Sequence, residues 1–205
     1  ELDVSDSVTV NATQINGVSI SGDSDNTLTI DDDVLAGGAD SATTIDLTSI
    51  NEAINSGFAD SFEVGDDYTL KINSGLANGA TISGAGNVEV IGANSAINDI
   101  DLSGITVTGD KTFTIGDTAV DYTGSTPNFG TFTVDLDGND VTVTQSQADA
   151  LEDVTDSGTV TIEADGSERN VLGDKYLVTD YETWDSGVTQ VLISPDDADT
   201  RFEVD

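Results

Sequence analysis

Threonine, valine and isoleucine alternate with polar residues along most of this chain, and that period of two constrains the fold more than any other feature. Successive side chains of a strand point to opposite faces, so the alternation predicts half-buried strands rather than amphipathic helices. β-Branched residues suit such a pleated surface. Strands are expected at Val8–Val10, Val18–Ile20, Thr27–Ile30, Thr43–Leu47, Tyr68–Ile72, Ala80–Ile82, Val88–Ile91, Ile105–Thr108, Thr112–Ile115, Thr131–Leu136, Val141–Thr144, Thr159–Glu163, Tyr176–Thr179 and Thr189–Ile193. Clusters of Gly, Asn, Asp and Ser separate them at intervals of about 8–12 residues, the rhythm of all-β architectures. Asp137-Gly138, between Phe132–Leu136 and Asn139–Val143, supplies the positive φ angles of a tight turn and predicts a hairpin.

Two segments break the alternation. Ser49–Asn55 and Ser146–Glu152 each carry a Ser-x-x-acid capping box with apolar residues on one helical face, which predicts two short helices. Ala150-Leu151-Glu152-Asp153-Val154-Thr155-Asp156-Ser157-Gly158 and Ala96-Ile97-Asn98-Asp99-Ile100-Asp101-Leu102-Ser103-Gly104 share the pattern Ala-[Ile/Leu]-x-Asp-[Ile/Val]-x-x-Ser-Gly. Ala53-Ile54 and Ser56-Gly57 form a shorter version. An internal repeat of roughly 43–54 residues would follow. The expected fold is mainly β, a repeat-like β-solenoid with short helical insertions; tandem β-sandwich modules are the alternative. Residues 1–163 read as the β repeat domain. Residues 164–205, with Tyr176, Tyr181, Trp184 and Phe202, read as an aromatic-rich C-terminal cap or small subdomain.

Charge then limits the partners. Forty acidic residues face five basic ones, a formal charge of -35, so the surface repels itself unless cations screen or bind it. Phosphate backbones and anionic headgroups find no basic footprint, which argues against nucleic acid and membrane partners. No apolar run is long enough for a spanning helix. Asp outnumbers Glu by 31 to 9, which points to acidic turns, where the short carboxylate bonds local backbone or ligates a hard cation. General halophilic acidity would produce the same bias.

Calcium is the expected cofactor, with candidate ligands in three groups: Asp31, Asp32 and Asp33; Asp135, Asp137 and Asn139 around Gly138; and Asp196, Asp197 and Asp199 after Pro195. Cys, His and Met are absent, so disulfides, thiol or imidazole metal sites and Ser-His or Cys-His nucleophiles are ruled out. Paired carboxylates alone are uninformative in so acidic a chain, and with a single Trp there is little to stack a sugar in a hydrolase cleft. No enzymatic activity is expected. Tyr176, Tyr181 and Trp184 are candidates for a sugar or subunit contact.

The stretch Val141–Leu151, continuing through Ser157-Gly158-Thr159-Val160-Thr161-Ile162, resembles the degenerate repeats of very large secreted bacterial surface proteins, the adhesins and surface-layer-like proteins. In those repeats a Thr-rich strand leads into a Gln/Ala helix and returns through Ser-Gly to a second strand. Glycine-aspartate nonapeptides of the Gly-Gly-x-Gly-x-Asp type are absent. The resemblance implies an extracellular, cell-surface structural or adhesive protein that self-associates as an oligomer, filament or lattice, with polysaccharide as a further partner. Asp3–Val10 would be the strand to pair with a neighbouring subunit. A carbohydrate-binding module, and a viral fibre or capsid decoration protein, are the alternative readings.

Overall fold

The computed structural model describes residues 2–22, 25, 27–31, 43–50, 55–58, 62–93, 99–116, 119–163, 188–193 and 201–203. The chain is a β-solenoid of about six turns with two short helices. Among the described residues, every strand except the last pairs in parallel with a strand of an adjacent turn. The longest sheet stacks β5 (Thr43–Asp46), β8 (Tyr68–Asn73), β10 (Asn87–Ala93), β11 (Lys111–Ile115), β13 (Thr133–Asp135) and β15 (Asp153–Thr155) in chain order. A second face carries β2 (Val8–Val10), β4 (Thr27–Ile30) and β6 (Asn55–Phe58). Further along the stack, another sheet comprises β12 (Ala119–Asp121), β14 (Asp140–Thr144), β16 (Gly158–Glu163), β17 (Val188–Ile193) and β18 (Arg201–Glu203). Two-stranded pairs, β1 (Leu2–Val4) with β3 (Ile20–Gly22) and β7 (Phe62–Val64) with β9 (Ile82–Gly84), complete the perimeter of the earlier turns. Among the described strands only β18 runs antiparallel, pairing with β17.

Alternation explains why each strand faces as it does. In β4 and β8 the inward residues Leu28, Ile30, Leu70 and Ile72 are fully buried. Register then lines those residues up from turn to turn: Ile72 beside Val90, Val90 beside Phe113, Phe113 beside Val134, and Val134 beside Val154. Each such side chain removed from water contributes about 1.5–3 kcal/mol. Pairs such as Val90 with Phe113 and Phe113 with Val134 set the repeat at about 20 residues, inside the range of solenoids. Of the longer intervals suggested by the sequence, the one of about 43 residues spans two turns and that of about 54 exceeds them. The two copies are also not equivalent, because Gly104 packs against Ala80 whereas Gly158 packs against Asn139 at a different corner.

The expected hairpin is a corner. Asp137 and Gly138 do take positive φ, 49° and 77°. Yet β13 pairs with β11 and β15, and β14 pairs with β12 and β16, so the two strands never meet. Leu136 is wholly buried and Asn139 donates from Nδ2 to the Ile115 carbonyl of the preceding turn at 3.0 Å, which swings the chain onto the next face. Ile105–Thr108 is another correction: Ile105 forms an isolated bridge with Ile82, and Thr106 and Thr108 donate to the Ile82 and Gly84 carbonyls without forming a strand.

Helix α2 (Gln145–Ala148) is where a helix was expected, but its capping box is Thr144 and Gln147 rather than Ser146 and Asp149. The helix predicted over Ser49–Asn55 has residues 51–54 outside the described residues; Ile50 bridges to Ile20 and Asn55 opens β6, so neither end is helical. Helix α1 (Ser74–Ala77) has no capping-box signal, because its cap is Asn73, whose side chain accepts from Leu76 N–H at 2.8 Å and donates to the Ile50 carbonyl at 2.7 Å. The strand expected at Tyr176–Thr179 lies outside the described residues.

Candidate functional site

Four corners repeat one chemical pattern: an Asp that ends a strand or, for Asp101, forms an isolated bridge, a buried Leu or Tyr, then a residue whose backbone N–H returns to the Asp. Asp46 Oδ1 accepts from Thr48 N–H at 3.0 Å and from its hydroxyl at 2.6 Å. Asp101 does the same with Ser103, at 3.0 and 2.7 Å, and Asp121 with Thr123, at 2.9 and 2.7 Å. Asp135 accepts from Asp137 N–H at 3.0 Å. Leu47, Leu102, Tyr122 and Leu136, between the bonded pairs, are all fully buried. The short carboxylate turns the chain while the middle residue plugs the core, which gives much of the Asp enrichment a local backbone role.

Asparagines tie one corner to the next. Asn16 Oδ1 accepts from Asp46 N–H at 2.8 Å, and Gly17 N–H donates to the Asp46 carbonyl at 2.8 Å. Asn78 and Gly79 grip Asp101 in the same way, at 2.9 and 2.8 Å. Asn87 and Val88 grip Asp110, at 2.8 and 2.9 Å. Each clasp satisfies groups that a corner would otherwise leave to solvent. These asparagines escaped the sequence analysis. For Asn16 and Asn78 the signal is there in outline, Asn-Gly on one turn and Asp-Leu-Thr or Asp-Leu-Ser on the following one; Asn87-Val88 with Asp110-Lys111 does not carry it.

Hydrogen bonding sets the acidity of the corners. Thr48's hydroxyl is the main reason that Asp46 is held below the usual carboxylate value, with Lys71 adding a smaller attraction. Ser103 lowers Asp101 likewise. Asp46, Lys71 and Glu89 stand side by side on three successive turns, with Lys71 Nζ 3.4 Å from Glu89. Lys111, the other described lysine, donates to the Val107 carbonyl at 3.0 Å.

The nine expected calcium ligands are unevenly placed by the structure. Asp31 is exposed at the end of β4, its backbone N–H donating to the Val10 carbonyl at 2.9 Å. Asp135, Asp137 and Asn139 share one corner, but Asp135 uses an oxygen on the Asp137 backbone and Asn139 turns its amide nitrogen inward. Asp32, Asp33, Asp196, Asp197 and Asp199 lie outside the described residues, as do Tyr176, Tyr181 and Trp184. Among the described residues no three Asp or Glu side chains converge as a metal group would. A hollow of about 210 Å³ lies between β6 and the loop after α1, lined by Phe58, Leu76, Asn78 and Ala80, and is smaller than the usual small-molecule pocket. No described helix is long and apolar enough to cross a membrane.

No protein-family profile, curated protein or solved structure matches this chain.

Proposed function

We propose that this chain is an extracellular structural and adhesive element of a microbial cell surface, a self-associating β-solenoid whose Asp-rich turns are tied by calcium. The observation that carries the reading is the clasped stack: a core of aliphatic side chains runs from turn to turn, and Asp and Asn side chains close corner after corner. Such a design favours persistence of shape over a concave reaction centre. The passage from β14 through α2 to Ser157-Gly158 and β16 also follows the strand, helix, Ser-Gly, strand order of the surface-protein repeats that this segment resembles. Strands β1 and β2 are the outermost of their sheets among the described residues, and an outermost strand is the natural place for a second copy to add. Calcium is assigned to Asp31–Asp33 and Asp196–Asp199, where carboxylates crowd in sequence, and to the corner of Asp135, Asp137 and Asn139.

Thermal unfolding in low salt with EDTA, then with millimolar calcium, millimolar magnesium or molar sodium chloride, tests the cation. Calcium at about 100 times its dissociation constant adds about 2.7 kcal/mol and raises the midpoint by several degrees, while magnesium does not. Stabilisation by molar sodium chloride alone would overturn the calcium assignment and leave a halophilic surface. Sedimentation velocity over a concentration series in calcium tests self-association, and a monomer throughout sinks it. Protease shaving of intact source cells tests location: peptides of this chain released before lysis support it, and peptides seen only after lysis refute it.

A further inference from the structure

Only two Asn-Gly pairs occur in the sequence, Asn16-Gly17 and Asn78-Gly79, and both sit at the same structural position. Asn-Gly is the dipeptide most prone to deamidation, because glycine leaves its nitrogen free to attack the asparagine side chain. Both asparagines are exposed, so water reaches them. In each, the two groups that must react are already engaged. Asn16 Oδ1 accepts from Asp46 N–H while Gly17 N–H donates to the Asp46 carbonyl, and Asn78 and Gly79 bind Asp101 identically. Asn16 Nδ2 also reaches the Thr44 carbonyl at 3.4 Å. Gly17 and Gly79 adopt φ of 67° and 70°, which fixes the backbone around the nitrogen.

We propose that Asn16 and Asn78 are self-modification sites kept silent by the clasp and released when the neighbouring turn opens. In the reaction the glycine amide loses its proton and its nitrogen attacks Asn Cγ. A C–N bond forms, the side-chain amide leaves as ammonia, and a succinimide remains. Water then opens the ring at one carbonyl or the other, giving aspartate or isoaspartate. The bond from Asp N–H to Asn Oδ1 would polarise Cγ and by itself favour attack. Geometry prevails over that activation: the glycine N–H points at the next turn and the amide cannot rotate onto it, and misplacement of reacting atoms by about 1 Å can cost about 100-fold in rate. Once formed, isoaspartate adds a backbone atom and a carboxylate beside Asp46 or Asp101, so the opened turn cannot close in its old register. Solenoid turns that have opened are thereby marked covalently.

The test ages the full chain in warm, mildly alkaline buffer, folded and in urea, and follows both sites by peptide mapping with mass spectrometry. Folded chain is expected to deamidate at Asn16 and Asn78 at least about 100-fold more slowly than unfolded chain. Equal rates in the two states would overturn the proposal. Leu47→Ala and Leu102→Ala, each hollowing out the corner behind one clasp, separate local from global opening. Leu47→Ala should accelerate Asn16 selectively and Leu102→Ala should accelerate Asn78 selectively, each by about tenfold or more. Acceleration of both sites together by either variant refutes control by the clasp. Amide hydrogen exchange at Gly17 and Gly79 in the unmodified chain gives a readout that depends on neither variant: in graded urea the deamidation rates should track exchange, and deamidation outrunning exchange also refutes it.

Discussion

Thr48 offers Asp46 both its N–H and its hydroxyl, and that double donation prevails over the cost of partial burial. A carboxylate held below its unfolded value stabilises the fold above that value, and the contribution drains away as pH falls through the folded-state value. Asp46 and Asp101 therefore support their corners above about pH 4 and lose that role in stronger acid. Thr48→Val should move the Asp46 titration upward, toward the ordinary 3.8, as read by carboxyl-carbon NMR. Tyr122 presents the opposite situation. Its ring packs edge-on against Phe129, with centroids 5.5 Å apart, but its buried hydroxyl has no hydrogen-bond partner among the described residues. Burial pushes the phenol above its usual 10.0, so stability is present below pH 10 and declines as pH rises beyond it. Tyr122→Phe removes the orphan group and should stabilise the protein by about 1 kcal/mol in urea unfolding, with less alkaline sensitivity. A loss of stability would mean that the hydroxyl has a partner, such as an internal water.

Helix α2 is small, yet its cap ties two turns together. Gln147 accepts through Oε1 from Thr144 N–H at 2.8 Å, and its Nε2 donates to the carbonyls of Tyr122 and Ser125, both at 2.9 Å. Thr144→Ala should cost about 1 kcal/mol, the ordinary worth of a cap. Gln147→Ala should cost more, about 2 kcal/mol, because it also strips partners from the earlier turn; equal losses in denaturant titrations would show that the links across turns contribute nothing. Elements of this kind mark the limit of what sequence makes legible. Val8–Val10, Thr27–Ile30 and Tyr68–Ile72 could be read because alternation is a local property. Phe62–Val64 was missed although it is no shorter than Val8–Val10, because Asp60-Ser61 before it and Gly65-Asp66-Asp67 after it give the segment the composition of a turn. Asp137-Gly138 was identified as a turn but taken for a hairpin, since positive φ serves a corner as well as a reversal. The Asp corners were legible as acidic turns. Their partners were not: Asn16 and Asp46 sit on different turns, and only the register joins them.

The whole molecule combines a continuous apolar interior with a formal charge of -35. Repulsion between stacked acidic corners acts over roughly 10 Å at about 0.1 M salt, about twice the strand spacing of roughly 4.8 Å that separates neighbouring turns. Raising monovalent salt should therefore increase resistance to urea, a neutral denaturant, steeply at first and then less as the screening length falls to about 3 Å at about 1 M; an unchanged midpoint would place the charges too far apart to interact. Unfolding should also be gradual across the stack, with amide exchange fastest at its ends, because each turn touches only its neighbours.

Parallel stacking gives the rod a polarity, which governs how copies can meet. A two-fold axis needs the same patch on both partners, and the leading and trailing faces of a one-way stack differ. Contact between one copy's first turn and another's last is therefore head-to-tail, and such a contact leaves a fresh face exposed for a third copy. Closed pairs can arise through the flanks, or head-to-head where the same leading or trailing face of two copies meets across a two-fold axis. The direction in which β5, β8, β10, β11, β13 and β15 follow one another thus separates two kinds of assembly by symmetry alone, an open fibre of head-to-tail copies and a closed two-fold pair.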